Sequence, residues 1–161
     1  MTSGFARALC FIIFMLERIP LALILLLTRV AVGLVFYMSG LTKIEGFALK
    51  PATFFLFEEE YKVPLLSPVV AAYLATAAEL TLPWFLWFGL GARFAALALL
   101  GMTTVIQVFV YPGAYVTHGL WAAALLLIIR FGAGALSIDR LIWSRAVATG
   151  FVEPEDARHG C

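Results

Sequence analysis

Apolar residues run through this chain in blocks of about twenty, separated by short polar or glycine- and proline-containing stretches, a spacing that predicts four membrane-crossing helices. The first covers residues 20–42, with Pro20 suited to an opening turn. The second covers residues 67–88, where Ser67 is an N-cap and Pro68 the first helical residue. Gly89-Leu90-Gly91 leaves room only for an antiparallel return into a third span, 91–111, which Pro112-Gly113 stops. A fourth runs over 117–136. The simplest arrangement is an all-α, up-down-up-down four-helix bundle embedded in a membrane as a single domain.

Three shorter elements flank the spans. Phe5 to Leu16 is apolar but too short to cross, and Glu17-Arg18-Ile19-Pro20 stands where a signal-peptide cleavage site would be needed, so the segment reads as a retained interfacial helix. In the loop 41–66, Pro51 starts a short helix ending in EEEY, with Phe54, Phe55 and Phe57 on the membrane and Glu58 to Glu60 in water. Ser137 caps a C-terminal amphipathic helix in which Leu141, Ile142 and Trp143 face lipid, and residues 151–161 read as a disordered tail.

Composition sharpens this picture. Of 161 residues, 63% are hydrophobic and 13% charged, against about 45–50% and about 25% in soluble domains. A soluble enzyme is excluded, and the length leaves no catalytic domain outside the bilayer. The net charge of +1 and scattered basic residues give no nucleic-acid footprint. Cys10 and Cys161 form no CxxC pair, which argues against a dithiol relay. With both termini cytoplasmic, seven arginines (Arg7, Arg18, Arg93, Arg130, Arg140, Arg145 and Arg158, the last far from any span) fall inside and three lysines (Lys43, Lys50, Lys62) outside, so 41–66 is the outer loop.

Charges at membrane depth cost about 2.5–3.5 kcal/mol each and call for a partner or a purpose. Arg29 lies mid-way along the first span and Glu79 mid-way along the second, which makes an Arg29–Glu79 pair the leading expectation, either as a register lock or with Glu79 as a proton carrier. Arg29, Gly33, Phe36, Gly40 and Lys43 recur at spacings of 4, 3, 4 and 3, one helical stripe. Ala72, Ala75, Glu79 and Pro83 form a matching small-residue face, and the two stripes are expected to pack together. Antiparallel order then gathers Lys43, Gln107, Tyr111, His118 and Trp121 near the outer surface over Glu79 as a floor, a pocket able to hold a quinone ring or another small carbonyl compound. The plainer alternative has His118 and Tyr111 satisfied by water and headgroups. With two histidines, one in the tail, no metal or haem site is expected, and GxSxG, HExxH, P-loop and GxGxxG motifs are missing.

RVAVGLVFYMSGLTKI (29–44), ATAAELTLPWFLWFGLGARFAALALLGMT (75–103) and FGAGALSIDRLI (131–142) resemble the DoxX family of small four-helix bacterial membrane proteins, over about Leu21 to Ile142. EEEYKVPLLSP and VIQVFVYPGAYVTHGLW look like a subgroup found in bufferin-type copper-stress operons. The family pattern falls on Arg29, Gly33, Gly40, Lys43, Glu79, Arg93, Gly134, Ser137 and Asp139, with Gly132-Ala133-Gly134 replacing the usual GPG. The resemblance implies a redox-associated membrane subunit, since relatives include a subunit of an archaeal thiosulfate:quinone oxidoreductase and a mycobacterial component associated with redox-defence enzymes. Such a subunit is at most one part of an oxidoreductase complex, with quinone as its only implied cofactor and a protein partner or a second copy alongside lipid. The alternatives are an accessory or anchor in a metal or oxidative stress response, handling a peptide or small molecule, and, with no internal repeat to support it, a small transporter.

Overall fold

The computed structural model describes residues 2–61, 63–64 and 66–148. Its helices are α1 (Thr2–Glu17), α2 (Leu21–Lys43), α3 (Pro51–Glu59), α4 (Pro68–Phe88), α5 (Ala92–Val105), α6 (Tyr115–Phe131) and α7 (Ile138–Ala148), with a two-residue hairpin, β1 (Ile44–Glu45) and β2 (Ala48–Leu49), after α2. The chain is an all-α membrane bundle: α2, α4 and the run Ala92–Val110 are each long and apolar enough to cross a bilayer. Helix α6 is also apolar, and its 17 residues reach about 25 Å at 1.5 Å per residue, the short end of what a span needs.

Helix α2 packs chiefly on α4, and α5 on α6. A methyl on Gly33 would collide with the Trp87 indole, and one on Gly40 would lie 2.9 Å from Leu80 and 3.1 Å from Glu79. These two close approaches, seven residues apart on each helix, fix the antiparallel register; of the face expected on α4, Glu79 meets the α2 stripe, while Ala72 and Ala75 pack with Phe57 of α3, and Leu80 and Trp87 meet the glycines instead. Phe36, Leu86, Ala96, Leu99, Leu125 and Ile128 fill the core between the four helices. Lipid takes the remaining apolar surface, including Leu27, Leu34, Phe94, Leu97 and Leu120.

Three boundaries differ from expectation, each for a local reason. The fourth span begins at Tyr115 and stops at Phe131 instead of reaching Leu136, because Gly132 and Gly134 adopt positive φ (75° and 77°) and turn the chain back over the bundle. The third does not end as an α-helix: Ile106–Val110 is a π-helical turn, closed by the Tyr111 N–H donating to the Ile106 carbonyl at 2.8 Å. Phe57 does not lie on the membrane; it is buried with Ala71 and Ala72 of α4, while Phe55 stays exposed and Phe54 is half-buried against Tyr73. The described side chains of α1 are all exposed, and the tail 151–161 lies outside the described residues.

Candidate functional site

The register decides which charges meet. Glu79 lies level with Gly40, and Arg29 is eleven residues along α2 from that point, about 16 Å away at 1.5 Å per residue. The expected Arg29–Glu79 pair is therefore not formed. Lys43, one turn beyond Gly40, takes the carboxylate: its Nζ lies 2.6 Å from Glu79 Oε2. Counting each residue from the middle of its own span put Arg29 and Glu79 at one depth, and the glycine contacts offset the helices from that alignment.

At this end every side-chain polar atom of the couple has a partner. The ammonium also donates to Ser39 Oγ at 2.9 Å and to the Ser39 carbonyl at 3.3 Å, and Ser39 Oγ donates to Glu79 Oε1 at 3.2 Å. The Lys43 carbonyl accepts from Thr53 Oγ1 at 2.8 Å and from the Lys50 N–H at 3.0 Å, so the loop and α3 clamp the end of α2. Pro83 has no N–H to give to the Glu79 carbonyl one turn earlier, which leaves that backbone oxygen without its helical donor.

Beside the couple is a chamber of about 110 Å³, walled by Phe36, Tyr61, Tyr111, His118 and Trp121. The π-helical turn sets its far wall. Gln107 Nε2 donates to the Pro112 carbonyl at 2.6 Å, and its Oε1 lies 2.7 Å from His118 Nδ1. Because the Pro112 oxygen can only accept, the amide nitrogen is fixed there, and the amide oxygen must accept from an Nδ1–H. Neutral His118 then carries its lone pair on Nε2. The imidazole lies 5.0 Å from the Trp121 ring, which is 5.6 Å from Phe36. Tyr111 donates to the Tyr61 hydroxyl at 3.2 Å, and burial followed by that contact holds the Tyr61 phenol above its ordinary pKa, a neutral group at physiological pH.

The structure thus brings Lys43, Glu79, Tyr111, His118 and Trp121 to one chamber, with Gln107 behind His118. Arg29 belongs elsewhere. Sequence reasoning missed Ser39 and Tyr61. Ser39 stands one turn before Lys43 beside the stripe and was findable from that spacing; Tyr61 lies in a loop with no periodicity to place it.

At the opposite end Arg29, fully buried, donates Nη1 to the Leu86 carbonyl at 3.0 Å and Nη2 to the Leu136 carbonyl at 2.6 Å. Asp139 accepts the N–H groups of Gly91 at 2.8 Å and Ala92 at 3.4 Å, capping α5, while its own N–H donates to Gly89 O at 2.9 Å. Ser137 Oγ accepts the Arg140 N–H at 3.2 Å and caps α7, and Arg93 lies against Gly132. These residues staple the α4–α5 turn to the segment following α6.

The DoxX family model matches residues 24–112, more than half of the chain. The match takes in the whole of the Lys43–Glu79 couple and the turn carrying Gln107. No curated protein and no solved structure matches the chain.

Proposed function

The chain belongs to the DoxX family, and on that premise we propose that it is a quinone-interacting subunit of a redox-associated complex in the bacterial inner membrane. The observation that carries this reading is the buried Lys43–Glu79 couple opening onto an aromatic chamber that also holds a histidine. A charge pair kept only for packing needs no space beside it. Here the Lys43 ammonium, whose donors go to Ser39 and Glu79, holds a carboxylate at the edge of the chamber, and the imidazole Nε2 of His118 and the Glu79 carboxylate can each take or give a proton. Reducing a quinone to its hydroquinone takes two electrons and two protons; the electrons come from a partner redox subunit, and the protons pass through Glu79 and His118. Both termini face the cytoplasm and the chamber opens at the outer surface, following the arginine bias of the loops.

Solvent extraction of protein purified gently from its native membrane tests this directly. Near-stoichiometric quinone in the wild type, lost in Glu79→Gln and in His118→Ala, is expected; wild-type protein free of quinone overturns the reading. A second reading has the outer loop dock a peptide or protein partner in a metal or oxidative stress response. It draws on Phe47, wholly exposed at the hairpin tip, and on exposed Glu58 to Glu60. Co-purification of a partner that Phe47→Ser abolishes would favour it.

A further inference from the structure

A second cavity, of about 380 Å³, lies between α4 and the end of α5, under the loop that follows α3. Leu74, Ala75 and Ala78 line it from α4, and Met102, Val105 and Ile106 from the opposite side. Its lining is apolar except where it reaches Lys43, Tyr61 and Glu79, and those three residues with Ile106 also line the polar chamber. The two spaces therefore adjoin at these four residues, the one polar and the other lined by hydrocarbon. Small-molecule sites usually occupy about 300–1,000 Å³; the chamber alone falls below that range and the apolar cavity beside it falls within it.

The cavity also faces outward. Leu74 and Leu66 on its rim are exposed on the surface that lipid covers. Helices α4 and α5 are tied at their far ends by the three-residue turn 89–91 and meet less closely than α2 with α4 or α5 with α6. The alanines on α4 and the π-helical turn at the end of α5 keep this side open.

We propose that this cavity seats the hydrocarbon tail of the molecule whose head occupies the chamber, and that a membrane-dissolved amphiphile with a carbonyl head enters sideways from the bilayer between α4 and α5. The inference rests on the quinone reading for the identity of the head, and on the residues that the cavity shares with the chamber for the position of the tail. Entry from the lipid spares the ligand any passage through water, and the tail orients the head toward Lys43 and Glu79.

The test uses the full chain in lipid nanodiscs with two photoreactive probes, each bearing a ten-carbon tail that ends in a diazirine: one with a benzoquinone head, one with a simple alcohol head. The proposal expects the quinone probe to label Leu74, Ala78, Met102 or Val105, with competition by unlabelled decyl-benzoquinone. Ala78→Phe, which fills the groove, should cut both labelling and affinity roughly tenfold. Met102→Trp narrows the same groove from the opposite wall and serves if Ala78→Phe does not fold. Label scattered over Val30, Leu34 and Leu120, unchanged by either variant, overturns the tail groove while saturable quinone binding leaves the head assignment standing. Groove labelling by the alcohol probe alone keeps the groove and removes the quinone. Absence of saturable labelling by either probe overturns both.

Discussion

The two ends of the bundle each bury a cation from α2, and they use it in opposite ways. At one end Arg29 gives its two terminal guanidinium nitrogens to two backbone carbonyls, Leu86 and Leu136, and closes the end of α4 against the segment after α6. At the other, Lys43 meets a side-chain carboxylate, and the couple borders open space walled by aromatic rings and a histidine. Carbonyls cannot exchange protons at physiological pH, so the Arg29 arrangement is a fixed joint. The Lys43 end instead sets an ion pair and a histidine around open space, so it is where chemistry is available. The lesson is that a charge at membrane depth is read by what it bonds to; depth alone did not distinguish these two.

The largest expected effect breaks the Lys43 couple. Glu79→Leu leaves an ammonium buried without its counter-charge and should cost about 3–5 kcal/mol. Adding Lys43→Met should recover most of that loss, because an apolar pair of similar bulk is often neutral. Thermal unfolding in detergent measures both. If Arg29→Met, and not Lys43→Met, rescues Glu79→Leu, the pairing is wrong.

Next comes the fixed joint. Arg29→Met removes two charge-assisted bonds, for about 3 kcal/mol, and takes from the Leu136 carbonyl its guanidinium donor, while the Leu86 carbonyl keeps the Gly89 N–H at 3.1 Å. It should add to Glu79→Leu without coupling, since sites more than about 7–10 Å apart are usually independent. A double-mutant cycle by unfolding checks this, and strong coupling would mean that the ends are not separate.

Gly89→Ala follows, at about 1–3 kcal/mol. Gly89 sits at φ 64°, and a methyl there would run into the Arg29 guanidinium and the Ser137 side chain. An unchanged melting midpoint would show that the turn is not clamped. The smallest structural effect belongs to His118→Ala, which loses one hydrogen bond, worth about 1 kcal/mol, yet should empty the chamber of quinone. Large destabilisation by this variant would make His118 a packing residue instead.

The spans, the stripe on α2 and the cluster of Lys43, Gln107, Tyr111 and His118 were legible because they rest on helical periodicity and on antiparallel order, both local in the sequence. What was not legible depends on register and on loops. The offset that separates Arg29 from Glu79 comes from Gly33 meeting Trp87 and Gly40 meeting Leu80, contacts between residues about 40–54 positions apart in the chain. The π-helical turn that orients Gln107 has no signature in IQVFV that differs from ordinary apolar helix. Phe57 reads as one more exposed aromatic until α3 folds onto Ala71 and Ala72. Conversely, the role of Asp139 follows from the glycine turn after α6, and only the family pattern singled it out beforehand, whereas Ser137 was legible as a helix cap.

The most direct test of the difference between the two ends is titration of a decyl-tailed benzoquinone into the full chain in lipid nanodiscs, followed by tryptophan quenching, with Glu79→Gln and Asp139→Asn in parallel. The account predicts saturable binding in the wild type and in Asp139→Asn, and binding weakened about tenfold in Glu79→Gln, the equivalent of one hydrogen bond of about 1.4 kcal/mol. Equal weakening in both variants, or no saturable binding in the wild type, would contradict it.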